Sequence, residues 1–243
     1  TQQRISEKLG ISRMQVIKLL EIARQSGIIQ FNIRQDSAKR MLVERQLIER
    51  WGLQDAFVVP SPPNDEDENQ TVALAAAMYI GDRLTENSFI NMGYGDTPSR
   101  VLNKLATDSE HPISVVSLTG GVSYYLPNTQ SSTFNAKLYL IPAPLLVSSH
   151  EMVSALQQEP SVKEVSRMVQ LASMTVVGIG AMNDDATVIK SGSLTKNDFL
   201  YLSMKGAVGD ILCHFIDKDG NLIHTSVEER LLSTPLETLR QLD

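Results

Sequence analysis

The residues of this chain that could do chemistry sit in glycine-rich loops. Met92-Gly93-Tyr94-Gly95-Asp96-Thr97-Pro98-Ser99 follows an apolar β-prone run and opens an amphipathic helical one, with Pro98 suited to a first helical turn. Backbone N–H groups at a helix start have no acceptor inside the helix, so they favour an anion such as a sugar phosphate, here over Thr97–Ser99. A carboxylate beside a phosphate repels it, so Asp96 suits the helix cap or a sugar hydroxyl better. Leu118-Thr119-Gly120-Gly121-Val122-Ser123 either lets backbone approach a ligand closely or makes a plain turn. Gly178-Ile-Gly180-Ala-Met-Asn-Asp184-Asp185 offers carboxylates that accept hydroxyl hydrogen bonds or simply solvate a loop tip. In Lys205-Gly-Ala-Val-Gly209-Asp210 the aspartate precedes apolar Ile211-Leu212-Cys213, which reads as a carboxylate at the start of a buried helix, serving as its cap or as a ligand anchor.

A second kind of chemistry opens the chain. Gln2 to Leu9 and Ser12 to about Gln25 read as two short helices broken at Gly10, with Thr1 and Ser12 as their caps and Gly10 as the left-handed residue between them. Ile5, Leu9, Ile11, Val16 and Leu20 are then expected to meet in a small core. Arg13, Gln15 and Lys18 fall on the outward N-terminal half of the second helix, where a helix-turn-helix presents side chains to the DNA major groove. Gln3 and Ser12 complete the candidate DNA-contacting set. A plain helical hairpin with a solvated polar face is the alternative. Charge favours the first reading: residues 1–50 hold ten Lys/Arg against five Asp/Glu, and residues 51–243 hold twelve against twenty-three. With a net charge of −6, any nucleic-acid contact must be local to this basic head.

The elements that must position these residues follow from periodicity. Gly27–Ile33 is a β-prone run suited to the wing beside a recognition helix, and Asp36–Trp51 carries Met41, Leu42, Leu47, Ile48 and Trp51 at helical spacing, a connecting helix that could pack on its copy in a dimer. The proline-rich acidic stretch Pro60–Asn69 reads as a solvated loop. Beyond it, apolar β-rich runs alternate with amphipathic helices. The runs are Ala56–Val59, Phe89–Met92, Ile113–Leu118, Ala136–Ile141 and Thr175–Ile179; the helices lie near Val72–Leu84, Pro98–Ala106, Glu151–Gln157 and Val162–Ala172. Such alternation implies an α/β domain with a largely parallel sheet, whose ligands bind outside the carboxyl ends of the strands.

At 243 residues and 42% hydrophobic content the chain can bury one large core and a small satellite. It contains no apolar run of membrane-spanning length and opens with no signal peptide. The single cysteine, Cys213, excludes an internal disulfide framework, fits a reducing cytoplasm and reads as packed core. His111, His150, His214 and His224 show no metal-ligand spacing, so neither a metal nor another cofactor is expected.

The Gln3–Ile33 head, Gly93-Tyr-Gly-Asp-Thr97, Ser117-Leu-Thr-Gly-Gly-Val122, Ile141-Pro-Ala-Pro144, Val177-Gly-Ile-Gly180, Ser191-Gly192 and Gly206-Ala-Val-Gly-Asp-Ile211, in that order, resemble the SorC/DeoR-type sugar-binding transcriptional regulators. The resemblance spans nearly the whole chain. It implies an α/β fold in which an N-terminal winged helix-turn-helix is joined to an effector-binding domain like the phosphosugar isomerases. It further implies a phosphorylated sugar or sugar-like effector, operator DNA as partner, and a homo-oligomer, a dimer or tetramer. By position it points to Gly93, Gly95, Asp96, Thr97, Gly120, Gly121 and Asp210 as the effector-binding set. Against the family pattern the chain is expected to lack the head's first helix and a terminal Gly-Gly…Lys segment that lends a lysine to the effector phosphate. The expected organisation is residues 1–34 as DNA-binding head, 35–53 as connecting helix and 54–243 as effector domain. A phosphosugar isomerase or deaminase is the competing reading, though no histidine or carboxylate stands in a clearly catalytic constellation, so no catalytic residue is assigned. A protein-interaction module is the third.

Overall fold

The structure, a computed structural model, describes residues 2–25, 35–62, 68–85, 88–109, 111–125 and 134–242. The expected wing over Gly27–Ile33 and the expected cap Thr1 lie outside them. The chain divides into two compact units, Thr1–Pro60 and Ser61–Asp243.

The first unit holds α1 (Gln2–Leu9), α2 (Arg13–Gln25) and α3 (Gln35–Trp51). Gly10 stops α1 with φ 65°, and the Ile11 N–H closes the turn on the Ser6 carbonyl at 3.1 Å. Ser12 starts α2 through a reciprocal cap: its hydroxyl accepts the Gln15 N–H at 3.2 Å while its own N–H reaches Gln15 Oε1 at 2.8 Å. The head core is narrower than its sequence predicts. Val16 is buried and Ile11 and Leu20 are half-buried, but Ile5 and Leu9 are 41% and 61% exposed. Two short helices meeting at a tight turn bury only the seam between them, and apolar positions off that seam stay in solvent. Ala56–Val59 also departs from expectation. It joins no sheet; the Val58 N–H donates to Glu44 Oε1 at 2.8 Å, which ties the segment to α3.

In the second unit, α4 (Glu68–Gly81) precedes β1 (Phe89–Met92), α5 (Asp96–Asp108), β2 (Ile113–Ser117) and β3 (Ala136–Tyr139), and then come α6 (His150–Gln158), α7 (Pro160–Met168) and β4 (Met174–Val176). These four strands form one parallel sheet in the order β3-β2-β1-β4. Both faces are covered. Ile90, Met92 and Val115 pack with Ala73 and Ala77 of α4 and Leu102 and Leu105 of α5, while Val116 packs with Val162 and Val165 of α7. Burying each of the larger of these side chains contributes about 1.5–3 kcal/mol, so this layer is a main source of the domain's stability.

A second sheet is present that the sequence pattern does not announce. β5 (Ile179–Ala181), β6 (Gly209–Ile211) and β7 (His214–Ile216) pair antiparallel in that order, with α8 (Thr187–Lys190) and α9 (Lys196–Met204) between β5 and β6 and α10 (Leu236–Leu239) near the end. Strands of three residues are too short to show alternation. Asp210 therefore lies in a strand, and the expectation that it begins a helix is corrected. The turn from β6 to β7 has only two residues, Leu212 and Cys213, both left-handed at φ 55° and 67°. Glycine and asparagine normally fill such a turn, and side chains there cost about 1–2 kcal/mol each. Offsetting interactions hold it in place. The Cys213 N–H donates to Asp210 Oδ2 at 2.9 Å, and the Leu212 carbonyl accepts the Ser233 hydroxyl at 3.0 Å. Next to it His214 is buried, with Nδ1 2.9 Å from Glu228 Oε1 and Nε2 2.9 Å from the Thr234 carbonyl.

Candidate functional site

In the parallel sheet, β2 and β3 lie to one side of β1 and β4 to the other. A ligand crevice is expected beyond the carboxyl ends of β1 and β4, where the order reverses. A cleft of about 540 Å³ opens there. Tyr94–Pro98 after β1 form one wall, Val177–Ala181 after β4 form the facing wall with Asp210, and Asn183, Asp185 and Ala186–Val188 lie at the end.

The helix start is built for an acceptor. Gly95, at φ 128°, is the N-cap of α5 and supplies no side-chain hydrogen bond. Pro98 has no N–H, and the Ser99 N–H is taken by the Gly95 carbonyl at 3.0 Å. The donors left are the N–H groups of Asp96 and Thr97, one residue earlier than the Thr97–Ser99 stretch expected from sequence. Asp96 does not cap the helix, as the sequence reading allowed. Its Oδ2 accepts from Arg100 Nε at 2.8 Å and from Asn69 Nδ2 at 2.9 Å, and this pairing blunts the repulsion expected between Asp96 and an anion.

The facing wall carries a buried acid. Asp210 is 6% exposed, and its Oδ2 accepts hydrogen bonds from the Tyr94 hydroxyl at 2.8 Å and from the Cys213 N–H at 2.9 Å. Its Oδ1 lies over Gly180, so close that a Cβ there would overlap it. Among the described residues no hydrogen bond reaches Oδ1. Burial raises the Asp210 carboxyl above its usual range, against the lowering effect of Tyr94, the Cys213 N–H and His214. Burial also pushes the Tyr94 hydroxyl well above a phenol's ordinary value, so it remains a proton donor.

Of the residues expected from sequence, the fold brings Gly95, Asp96, Thr97 and Asp210 together on this cleft. Gly93, Gly120 and Gly121 lie off it. Gly93 packs under Leu212, and Gly120 and Gly121 fix the loop after β2 through N–H bonds to the Leu232 and Ala143 carbonyls at 2.9 and 2.8 Å. Asp185 reaches the rim, paired with Lys190 at 2.9 Å, while Asp184 does not line the cleft. Tyr94 went unmarked in sequence because its partner is 116 positions away. In the head, Gln3, Ser12, Arg13, Gln15 and Lys18 are all exposed, though Gln3 donates to Glu7 at 3.0 Å and Gln15 Oε1 is held by the cap. Among the described residues no group of histidine, cysteine and carboxylate side chains could hold a metal ion, and no helix is long and apolar enough to cross a membrane.

Fold and cleft define a small-molecule-binding α/β domain in one chain with a separate helical unit. The Sugar-bind family model, a sugar-binding domain, matches residues 35–243. The chain is 34% identical to the transcriptional regulator LsrR of Klebsiella pneumoniae over 246 residues, covering 100% of this chain and 76% of that protein. It is also 34% identical to LsrR of Escherichia coli K12, over 99% of this chain and 77% of that one. The full-length sorbitol operon regulator SorC of Klebsiella pneumoniae superposes with a TM-score of 0.71 at 25% identity, covering 100% of this chain and 81% of that chain. A DeoR family transcriptional regulator from Listeria monocytogenes shares the fold, with a TM-score of 0.72 at 23% identity over 84% of each chain. The chain therefore belongs to the SorC/DeoR-type sugar-binding transcriptional regulators.

Proposed function

We propose that this chain is a DNA-binding regulator of a carbohydrate-uptake operon, that a phosphorylated sugar-like effector in the β1/β4 cleft sets its affinity for DNA, and that it works in the cytoplasm as a homo-oligomer. The α1–α2 head is read as the core of a winged helix-turn-helix and the second unit as an isomerase-like domain that has kept the binding site without the chemistry. The observation that carries the effector reading is the juxtaposition across one cleft of an uncapped helix start, which offers N–H donors to a phosphate, and a buried carboxylate, which offers an acceptor to hydroxyls. The regulator names of the relatives argue against an enzyme. So does His214, which faces Glu228 and Thr234 and does not line the cleft.

For the head, Arg13→Ala should cost about 1–3 kcal/mol of operator binding and relax preference at one base pair if Arg13 reads a guanine edge. Lys18→Ala should weaken binding on every sequence and lower the salt slope by about one. Gel shifts at several salt concentrations separate the two, and unchanged affinity in both variants would refute the recognition-helix assignment. For the cleft, Gly95→Val should disturb the helix start: φ 128° disfavours any side chain, and the added one would stand beside Pro98 at the cleft. Calorimetric titration with sugar phosphates should then show affinity lost by more than about tenfold, roughly 1.4 kcal/mol. Full affinity in that variant would remove the anion seat from α5.

A further inference from the structure

We propose that Tyr94 is the positioning residue of this cleft: its hydroxyl fixes the Asp210 carboxylate so that Oδ1 is presented to the hydroxyls of a polyol phosphate, which sets the site's preference for a hydroxylated chain over bare phosphate. The inference rests on the sugar-phosphate reading of the cleft. Three features converge on one carboxylate. The Tyr94 hydroxyl and the Cys213 N–H both donate to Oδ2, at 2.8 and 2.9 Å, so that oxygen is occupied by the protein. Gly180 leaves the space that Oδ1 fills, and no protein donor among the described residues reaches it there. Asp210 lines the cleft, and its Oδ1 is not among the buried atoms left without a partner, so it is open to a donor from the cleft; a sugar phosphate brings several hydroxyl donors where inorganic phosphate dianion has one O–H.

The third feature is the turn that supplies the Cys213 N–H. Leu212 and Cys213 both hold left-handed backbone without being glycine. Such strain persists only where the surroundings over-determine it, and here it aims an N–H at Asp210. With the turn holding one side of Oδ2 and Tyr94 the other, the carboxylate cannot rotate without losing a hydrogen bond. The titratable groups facing Asp210 are Tyr94, Cys213 and His214, with Asp96 and Asp185 along the cleft.

The test is a mutant cycle of Tyr94→Phe, Asp210→Asn and the double variant in the full chain, titrated by calorimetry with fructose 6-phosphate, ribose 5-phosphate and inorganic phosphate. Phenylalanine keeps the buried ring, so the fold should hold. Tyr94→Phe should weaken the tighter-binding sugar phosphate by about tenfold and leave inorganic phosphate within about twofold, and the double variant should be no weaker than Asp210→Asn alone. An unchanged sugar-phosphate affinity, an equal loss for inorganic phosphate, or additive single effects would each overturn the proposal. Carboxyl carbon NMR of Asp210 adds a readout without ligand: losing the donor to the ionised form should raise its titration midpoint by on the order of one pH unit, and an unmoved midpoint would also overturn it. If the native chain binds neither sugar phosphate, the cleft's sugar-phosphate reading fails for these probes, and the midpoint alone decides whether Tyr94 governs the carboxylate.

Discussion

Gly120→Ala should melt the α/β domain roughly 6–12 °C below the native chain, a loss of about 3 kcal/mol. A Cβ built on Gly120 would overlap the Pro144 carbonyl oxygen and stand 2.7 Å from its carbon and 2.8 Å from the Ala143 oxygen. All three are backbone atoms, so no rotamer change relieves the overlap. The loop also cannot retreat cheaply, since the Gly120 N–H is bonded to Leu232 and the Gly121 N–H to Ala143. The destabilised domain should still bind its effector at low temperature, because Gly120 lies off the cleft. A thermal melt within about 1 °C of native would contradict the packing described, at 2–4 °C per kcal/mol for a domain of this size.

The second large effect is expected at Gly180. There an added methyl meets the Asp210 carboxylate directly, and Gly180 and Asp210 are paired residues on adjacent strands, so neither can slide away. The carboxylate must swing off Oδ2's donors, leaving a buried hydroxyl and a buried N–H without their acceptor. Each orphaned group costs about 1–3 kcal/mol, and effector affinity should fall by more than tenfold as Oδ1 leaves the cleft. The outcome distinguishes Gly180 from Gly120. One variant loses binding and stability together, the other mainly stability, and calorimetry beside a melting curve separates them.

The parallel sheet was legible because its strands are buried on both faces and announce themselves as apolar runs: Phe89–Met92 is β1 as read, and Ile113–Leu118 and Ala136–Ile141 overrun β2 and β3 by a residue or two. The stop at Gly10 and the cap at Ser12 were legible because both depend only on residues within one turn. The antiparallel sheet was not, since its three-residue strands carry no period and its turn is built from Leu212 and Cys213 instead of the usual turn residues. The same failure misplaced Asp210 on a helix start, when it lies in β6. Read locally it is a helix cap or a ligand anchor; its partners, Tyr94 and the Cys213 N–H, are set by a residue 116 positions away and by the β6–β7 turn. Glycine-rich loops proved ambiguous for a related reason. Gly95 opens a helix onto the cleft while Gly120 admits a neighbouring backbone, and a lone glycine pair in sequence does not say which.

If a phosphorylated effector in the β1/β4 cleft governs DNA binding by the head, the two ligands must be coupled. Fluorescence anisotropy of a labelled operator duplex, titrated in parallel with a sugar phosphate and with its unphosphorylated parent, tests it most directly. The phosphorylated sugar should shift the apparent DNA affinity by about 5–150-fold, the usual span of such coupling, and the parent sugar at equal concentration should leave it unchanged. An equal shift by the two sugars would contradict it.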